Sequence, residues 1–158
     1  MAQVEGRGLL RWAGGIMVGL GAGHLSLLAV MARDDIGAWV QKGLWAAVPL
    51  APADAPTQAV LRNELTFWAG PGSFSVPLLL LGCLVWHLAG RGVAVPPWVG
   101  WGLAAWCVLG AVLLVPSPFV LGAVAGVLVV LAARRRAAAA GASGAPTPSA
   151  AAGADPVR

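Results

Sequence analysis

The stretch RWAGGIMVGLGAGHLSLLAVMAR, Arg11 to Arg33, decides how the rest of this chain is read. Its 21 residues from Trp12 to Ala32 carry no fixed charge. At helical rise such a run is roughly 32 Å long, about the thickness of a bilayer's hydrocarbon core. Gly15, Gly19 and Gly23 recur every four residues, so all three share one helix face. In water such glycines only weaken a helix, whereas in lipid they let a second backbone approach closely. One titratable side chain, His24, interrupts the run. The stretch reads as a membrane span built to be packed against.

Composition agrees. The 158 residues are 59% apolar and 10% charged, against about 25% charged in a soluble domain. That excludes an ordinary water-soluble globule and leaves room for one domain at most. The formal charge of +4 comes from arginines beside apolar runs, so it reports topology. No basic stripe interleaved with aromatics lies outside the spans, and no nucleic-acid partner is expected. Cys83 and Cys107 sit inside apolar segments with no CxxC, as small packing residues. A signal peptide is the competing reading of the N-terminus, with Arg7 and Arg11 as its basic part and Val30-Met31-Ala32 as a cleavage site. The apolar run exceeds the roughly 7–15 residues of a signal core, so an uncleaved span is expected.

Outward from this span, residues 1–11 form a short arm and Trp12 sits where interfacial aromatics sit. Beyond Arg33, Asp34 and Asp35 are suited to cap a helix whose Ile36, Trp39, Val40 and Leu44 share one face. Residues 36–47 are expected to be a short amphipathic helix in the interface, anchored by Trp39 and Trp45. An ordered loop packed on the bundle is the alternative. Pro49 to Pro56 is turn-rich, with Asp54 a candidate cap.

From Thr57 the sequence is helix-like until Gly70-Pro71-Gly72, a strong breaker. Ser73 then caps a second start, with Pro77 in the first turn, where its missing donor costs little. The second span is therefore expected to be broken, a pre-helix near 57–70 followed by a helix near 74–89. A single kinked helix is the runner-up. Between Arg91 and Arg134 lie 42 uncharged residues, enough for two helices. Pro116-Ser117-Pro118 supplies the turn between them, Ser117 capping and Pro118 opening the last helix. Gly122 and Gly126 give that helix a GxxxG face, and Gly102 and Gly110 do similar duty in the one before. Residues 137–158, nearly all Ala, Gly, Ser and Pro, have little to bury and read as a disordered cytoplasmic tail.

The expected fold is thus all-α: a polytopic integral membrane four-helix bundle with a broken second helix and a short interfacial helix. Its domain covers residues 1–136, with spans near 12–32, 65–89, 98–115 and 118–134. Four spans put both termini on one side. That side carries six arginines: Arg7, Arg11, Arg91, Arg134, Arg135 and Arg136. The other side carries three cations, Arg33, Lys42 and Arg62, among four carboxylates. The excess marks the six-arginine side as cytoplasmic, in a cell membrane.

With the spans laid out, RWAGGIMVGLGAGHL, GLWAAVP, FWAGPGSFSVPLLLLG and VPPWVGWGLAAW follow one another in an order that resembles a family of small bacterial four-span membrane proteins of unknown function. The resemblance covers about residues 8–136. It implies membrane embedding and no catalytic residues.

Depth arithmetic brings one constellation together. His24 lies roughly 19 Å from Arg11 along its helix, and Ser73 about 23 Å from Leu88. The chain break and His24 therefore fall within about one turn of each other in depth, in the outer leaflet. A broken helix frees backbone groups that lipid cannot satisfy, and transporters build sites from such breaks. His24, Asn63, Glu64, Ser73 and Ser75 are candidates to line a small polar pocket open to the outer face. The plainer reading is that His24 donates to a carbonyl freed at the break and Glu64 pairs with Arg62 or Arg33. His87 sits at the cytoplasmic end. No CxxC, no set of metal ligands and no carboxylate inside a span is present, so neither cofactor nor metal is expected.

Two functions remain. One is a non-enzymatic module that packs in the bilayer with itself or another membrane protein through Gly15, Gly19, Gly23, Gly122 and Gly126. The other is a small carrier or enzyme that binds an apolar molecule beside His24. The glycine faces are explicit in the sequence and the pocket is inferred, so the first is preferred.

Overall fold

The computed structural model describes residues 2–43, 57–114 and 117–143. Six helices and no strand occupy them: α1 (Ala2–Met31), α2 (Arg33–Lys42), α3 (Gln58–Ala69), α4 (Ser75–Gly90), α5 (Pro97–Leu113) and α6 (Phe119–Ser143). Gly6–Met31 is the one stretch among them long and apolar enough to cross a membrane, and α4 and α5 are shorter apolar helices.

α1 is the central rod, packed against α4 on one side and α6 on the other, with α5 on the far side of α6. Glycines set these approaches. A Cβ on Gly14 would lie 2.9 Å from the Gly82 carbonyl oxygen, and one on Gly21 would lie 2.7 Å from that of Ser75. The numbers rise along α1 as they fall along α4, so the two helices are antiparallel. Between α5 and α6, Gly100 and Gly126 face each other, each would-be Cβ 2.6 Å from the other's carbonyl oxygen. These backbone-to-backbone contacts leave no room for a side chain, as in tightly packed membrane helices. Leu10, Met17, Val85, Val129 and Cys107 fill the space between.

Several boundaries differ from expectation. α1 begins at Ala2, so the N-terminal arm is helical, and Leu10 is buried in the core. α6 continues to Ser143, into the tail and past Ala137–Ala140 where a helix running on from the last span is expected to fray, because alanine is the best helix former. Residues 144–158, the remainder of that tail, lie outside the described residues, as do Leu44, Trp45 and Pro49–Pro56. α2 starts at Arg33, three residues early, and follows α1 across Ala32 with no side-chain cap. Asp34 and Asp35 therefore cap nothing and lie in its first turn. Trp39 is buried at 4% exposure instead of standing out as an anchor, while Val40 is exposed.

The other end of the molecule carries a separate tie. Arg136 Nη1 donates to the Gly92 carbonyl (3.1 Å), joining α6 to the connection between α4 and α5. Gly92 makes that turn at φ 69°.

Candidate functional site

The chain break is where the elements converge. α3 ends at Ala69, and its last carbonyls are gathered in by the turn: Gly70 N–H donates to Thr66 and Phe67, and Gly72 N–H to Phe67 at 2.9 Å. The Ala69 carbonyl is taken by another helix, 2.8 Å from His24 Nε2. A carbonyl only accepts, so Nε2 carries the hydrogen and, in the neutral ring, Nδ1 keeps its lone pair. One turn further along α1, Leu28 Cδ2 occupies the position a Cβ on Gly70 would need. His24 and Leu28 thus seat the break on α1, one by a hydrogen bond and one by filling the gap glycine leaves.

Two helices then restart at this end in the same manner. Ser73 Oγ accepts from Ser75 N–H at 3.2 Å before α4, and Ser117 Oγ accepts from Phe119 N–H at 3.2 Å before α6. Serine competes for backbone donors and so favours such starts. Pro77, third in α4, and Pro118, just ahead of α6, sit where no intrahelical donor is required.

Between these starts lies a chamber of ≈420 Å³. Leu20 and His24 of α1 form one wall, and Ala69, Ser73, Phe74, Ser75 and Leu78 a second. Cys107 of α5 and Leu114 just past its end border it on a third side, and Ser117 and Pro118 ahead of α6 with Phe119 and Gly122 of α6 on a fourth. Phe74 and Trp106 meet across its α4–α5 side, ring centroids 5.7 Å apart. The walls are mainly apolar, with His24 and three serines as the polar groups, the pattern of a small-molecule site.

Of the five pocket candidates, His24, Ser73 and Ser75 come together here. Asn63 and Glu64 do not line the chamber; they lie on α3 ahead of the break. The neighbouring Arg62 and Thr66, four residues apart, bind α3 to α2: Arg62 Nε (3.0 Å) and Thr66 Oγ1 (3.2 Å) both donate to Asp35 Oδ2. Arg62 thus pairs with Asp35, and Arg33 lies 3.8 Å from Asp34. The expected pairing of either with Glu64 is replaced because α2 lays its acidic first turn against α3. Among the glycines, Gly126 lies in the α5–α6 seam, Gly122 lies against Cys107 Sγ, and Gly15 is covered by the Trp86 ring. Gly19 and Gly23 meet nothing within 4 Å, since the face of α1 turned inward carries Gly14 and Gly21.

Ser117, Phe119 and Cys107 were not read as site residues. Counting back from Arg134 to Ser117 gives about 26 Å, within one turn of the depth of Ser73, and that count would have placed the two helix starts side by side. No group of three or more His, Cys, Asp or Glu able to hold a metal ion is present among the described residues.

The chain is a member of DUF6463, a family of unknown function, which matches residues 8–136. No curated protein and no solved structure matches it.

Proposed function

We propose that this chain is a four-span membrane protein, both ends cytoplasmic, that binds an apolar molecule with a small oxygen-bearing head in the chamber beside His24. The outward faces support the membrane reading. Leu80 and Leu84 on α4, Val108, Leu109 and Val112 on α5, and Val120, Val124 and Val127 on α6 are all exposed. In water they would form apolar patches far beyond the few hundred Å² that monomers tolerate, whereas lipid accepts them. Trp12, Trp98 and Trp101 stand exposed near the arginine-rich end, as in an aromatic belt.

The observation that carries the binding reading is the chamber itself, mainly apolar in its lining, with His24 and three serines as its polar groups. His24 spends Nε2 on the Ala69 carbonyl yet retains Nδ1 as an acceptor for a ligand hydroxyl. The first residues of α4 and α6 line the same space, so the partly positive ends of two helices lie there and favour oxygen. Such a protein acts as a carrier or as a membrane enzyme's binding half. The test is native mass spectrometry of protein purified in mild detergent. A discrete small molecule retained by the wild type and lost in Leu20→Trp, which fills the chamber without touching the His24 bond, is expected. Equal retention by both, or none by either, would count against it.

The second reading is a packing module. It is favoured by Gly19 and Gly23, whose face of α1 is open to a neighbour.

A further inference from the structure

On the opposite half of α1, outside the bundle, a groove of ≈490 Å³ runs between α1 and α4. Gly8 and Gly15 line its α1 side, Trp12 and Trp86 wall it, and Arg11 and Ile16 complete it. Its depth comes from missing side chains. A Cβ on Gly15 would press to 3.2 Å from the Trp86 ring, and one on Gly8 would meet nothing within 4 Å. Both indoles stay substantially exposed, at 71% for Trp12 and 50% for Trp86, and Arg11 is exposed beside them. Arg11 is the one charged residue lining the groove. A solvated peptide partner would have to bury two indoles around a lone cation. A phospholipid matches both features at once, its acyl chain lying on glycine between the indoles and its phosphate on the guanidinium.

The geometry points to this groove as a seat for one anionic phospholipid of the inner leaflet, held at Arg11 and distinct from the lipid that merely surrounds the protein. The inference rests on the membrane reading above. Arginine recognises phosphate with paired donors, and indoles prefer the headgroup level. Arg7 lies one turn before Arg11 and adds to the local attraction.

The test offers purified protein an equimolar mixture of dioleoylphosphatidylglycerol and dioleoylphosphatidylcholine and reads bound lipid by native mass spectrometry. The wild type should retain the glycerol lipid about fivefold over the choline lipid, because both offer a phosphate but the choline cation offsets its attraction to a basic residue, worth about 1 kcal/mol. Arg11→Gln should remove most of that preference, leaving the small part owed to Arg7, while Arg11→Lys should keep much of it and Gly15→Leu should lower retention of both lipids. Arg33→Gln, at the start of α2 beyond the far end of α1, should change nothing. No preference in the wild type, or a preference undiminished in Arg11→Gln, would overturn the assignment. A lipid-free dimer dispersed by Gly15→Leu would put a second copy in the groove and overturn it too. Alkaline carbonate extraction separates the two levels: protein that stays in the membrane yet binds lipid indiscriminately leaves the membrane reading standing, whereas protein released by carbonate removes both.

Discussion

The α5–α6 seam is built in two ways along its length, and the difference explains where the chamber lies. Near the start of α5, Gly100 and Gly126 place backbone on backbone. Toward the other end the glycines receive side chains instead: the Phe119 ring lies on Gly110, with a would-be Cβ 3.0 Å away, and Cys107 Sγ lies on Gly122. A ring and a sulfur occupy more width than a second backbone, so space opens between the helices at that end. The α1–α4 seam stays tight through Gly21 and Ser75, and the break then carries the chain across α1 at His24 and Leu28. One end of the bundle is zipped by glycine and the other is propped open. Close packing leaves no space for a guest, and an open end is what a ligand requires.

Substitutions can break this contrast, and the largest effect belongs to the zipped end. Gly126→Leu would force its side chain into the Gly100 carbonyl and Ala104, and should cost about 3 kcal/mol or more, read as loss of the folded species on size exclusion in detergent. At the propped end, His24→Ala should cost about 0.5–1.5 kcal/mol, because the Ala69 carbonyl loses its partner on α1. Thermal unfolding followed by tryptophan fluorescence would report it, and His24→Gln, which can still donate, should recover part of the loss. Thr66→Val removes one donor from Asp35 while Arg62 remains, so about 1 kcal/mol is expected in the same assay. The smallest change should come from Gly19→Ala. Its Cβ meets open space, and alanine stabilises a helix by about 0.5–1 kcal/mol over glycine, so the monomer should hold or gain stability. If Gly19→Ala instead disperses an oligomer on size exclusion, the packing reading gains over the binding one.

Much of this architecture is legible in local sequence. The breaker Gly70-Pro71-Gly72, the serine before each restart and the position of Pro77 follow from backbone chemistry that needs no partner. The meeting of His24 with the break was legible by depth alone, since helical rise converts residue number into height. Rotation about the helix axis was not. Gly15, Gly19 and Gly23 form the more regular series, yet Gly14 and Gly21 meet α4. In a helix apolar on every side, no polar stripe marks which face turns outward. The same gap concealed Asp35, which reads as a cap from its place after Arg33 but reaches α3 through contacts 27 and 31 residues away. Asn63 and Glu64 lie outside the chamber's lining for a related reason: height places them near the mouth, while Arg62 and Thr66 turn α3 toward Asp35.

The central claim is that the propped end admits an apolar molecule between the helices. It is tested most directly with a photoreactive alkyl-diazirine alcohol added to the protein in detergent, with adducts mapped by mass spectrometry. The account predicts adducts concentrated on Leu20, Leu78, Cys107 and Phe119, which Leu20→Trp removes. Adducts confined to the outward Leu80, Val108 and Val127, with the same pattern in Leu20→Trp, would contradict it.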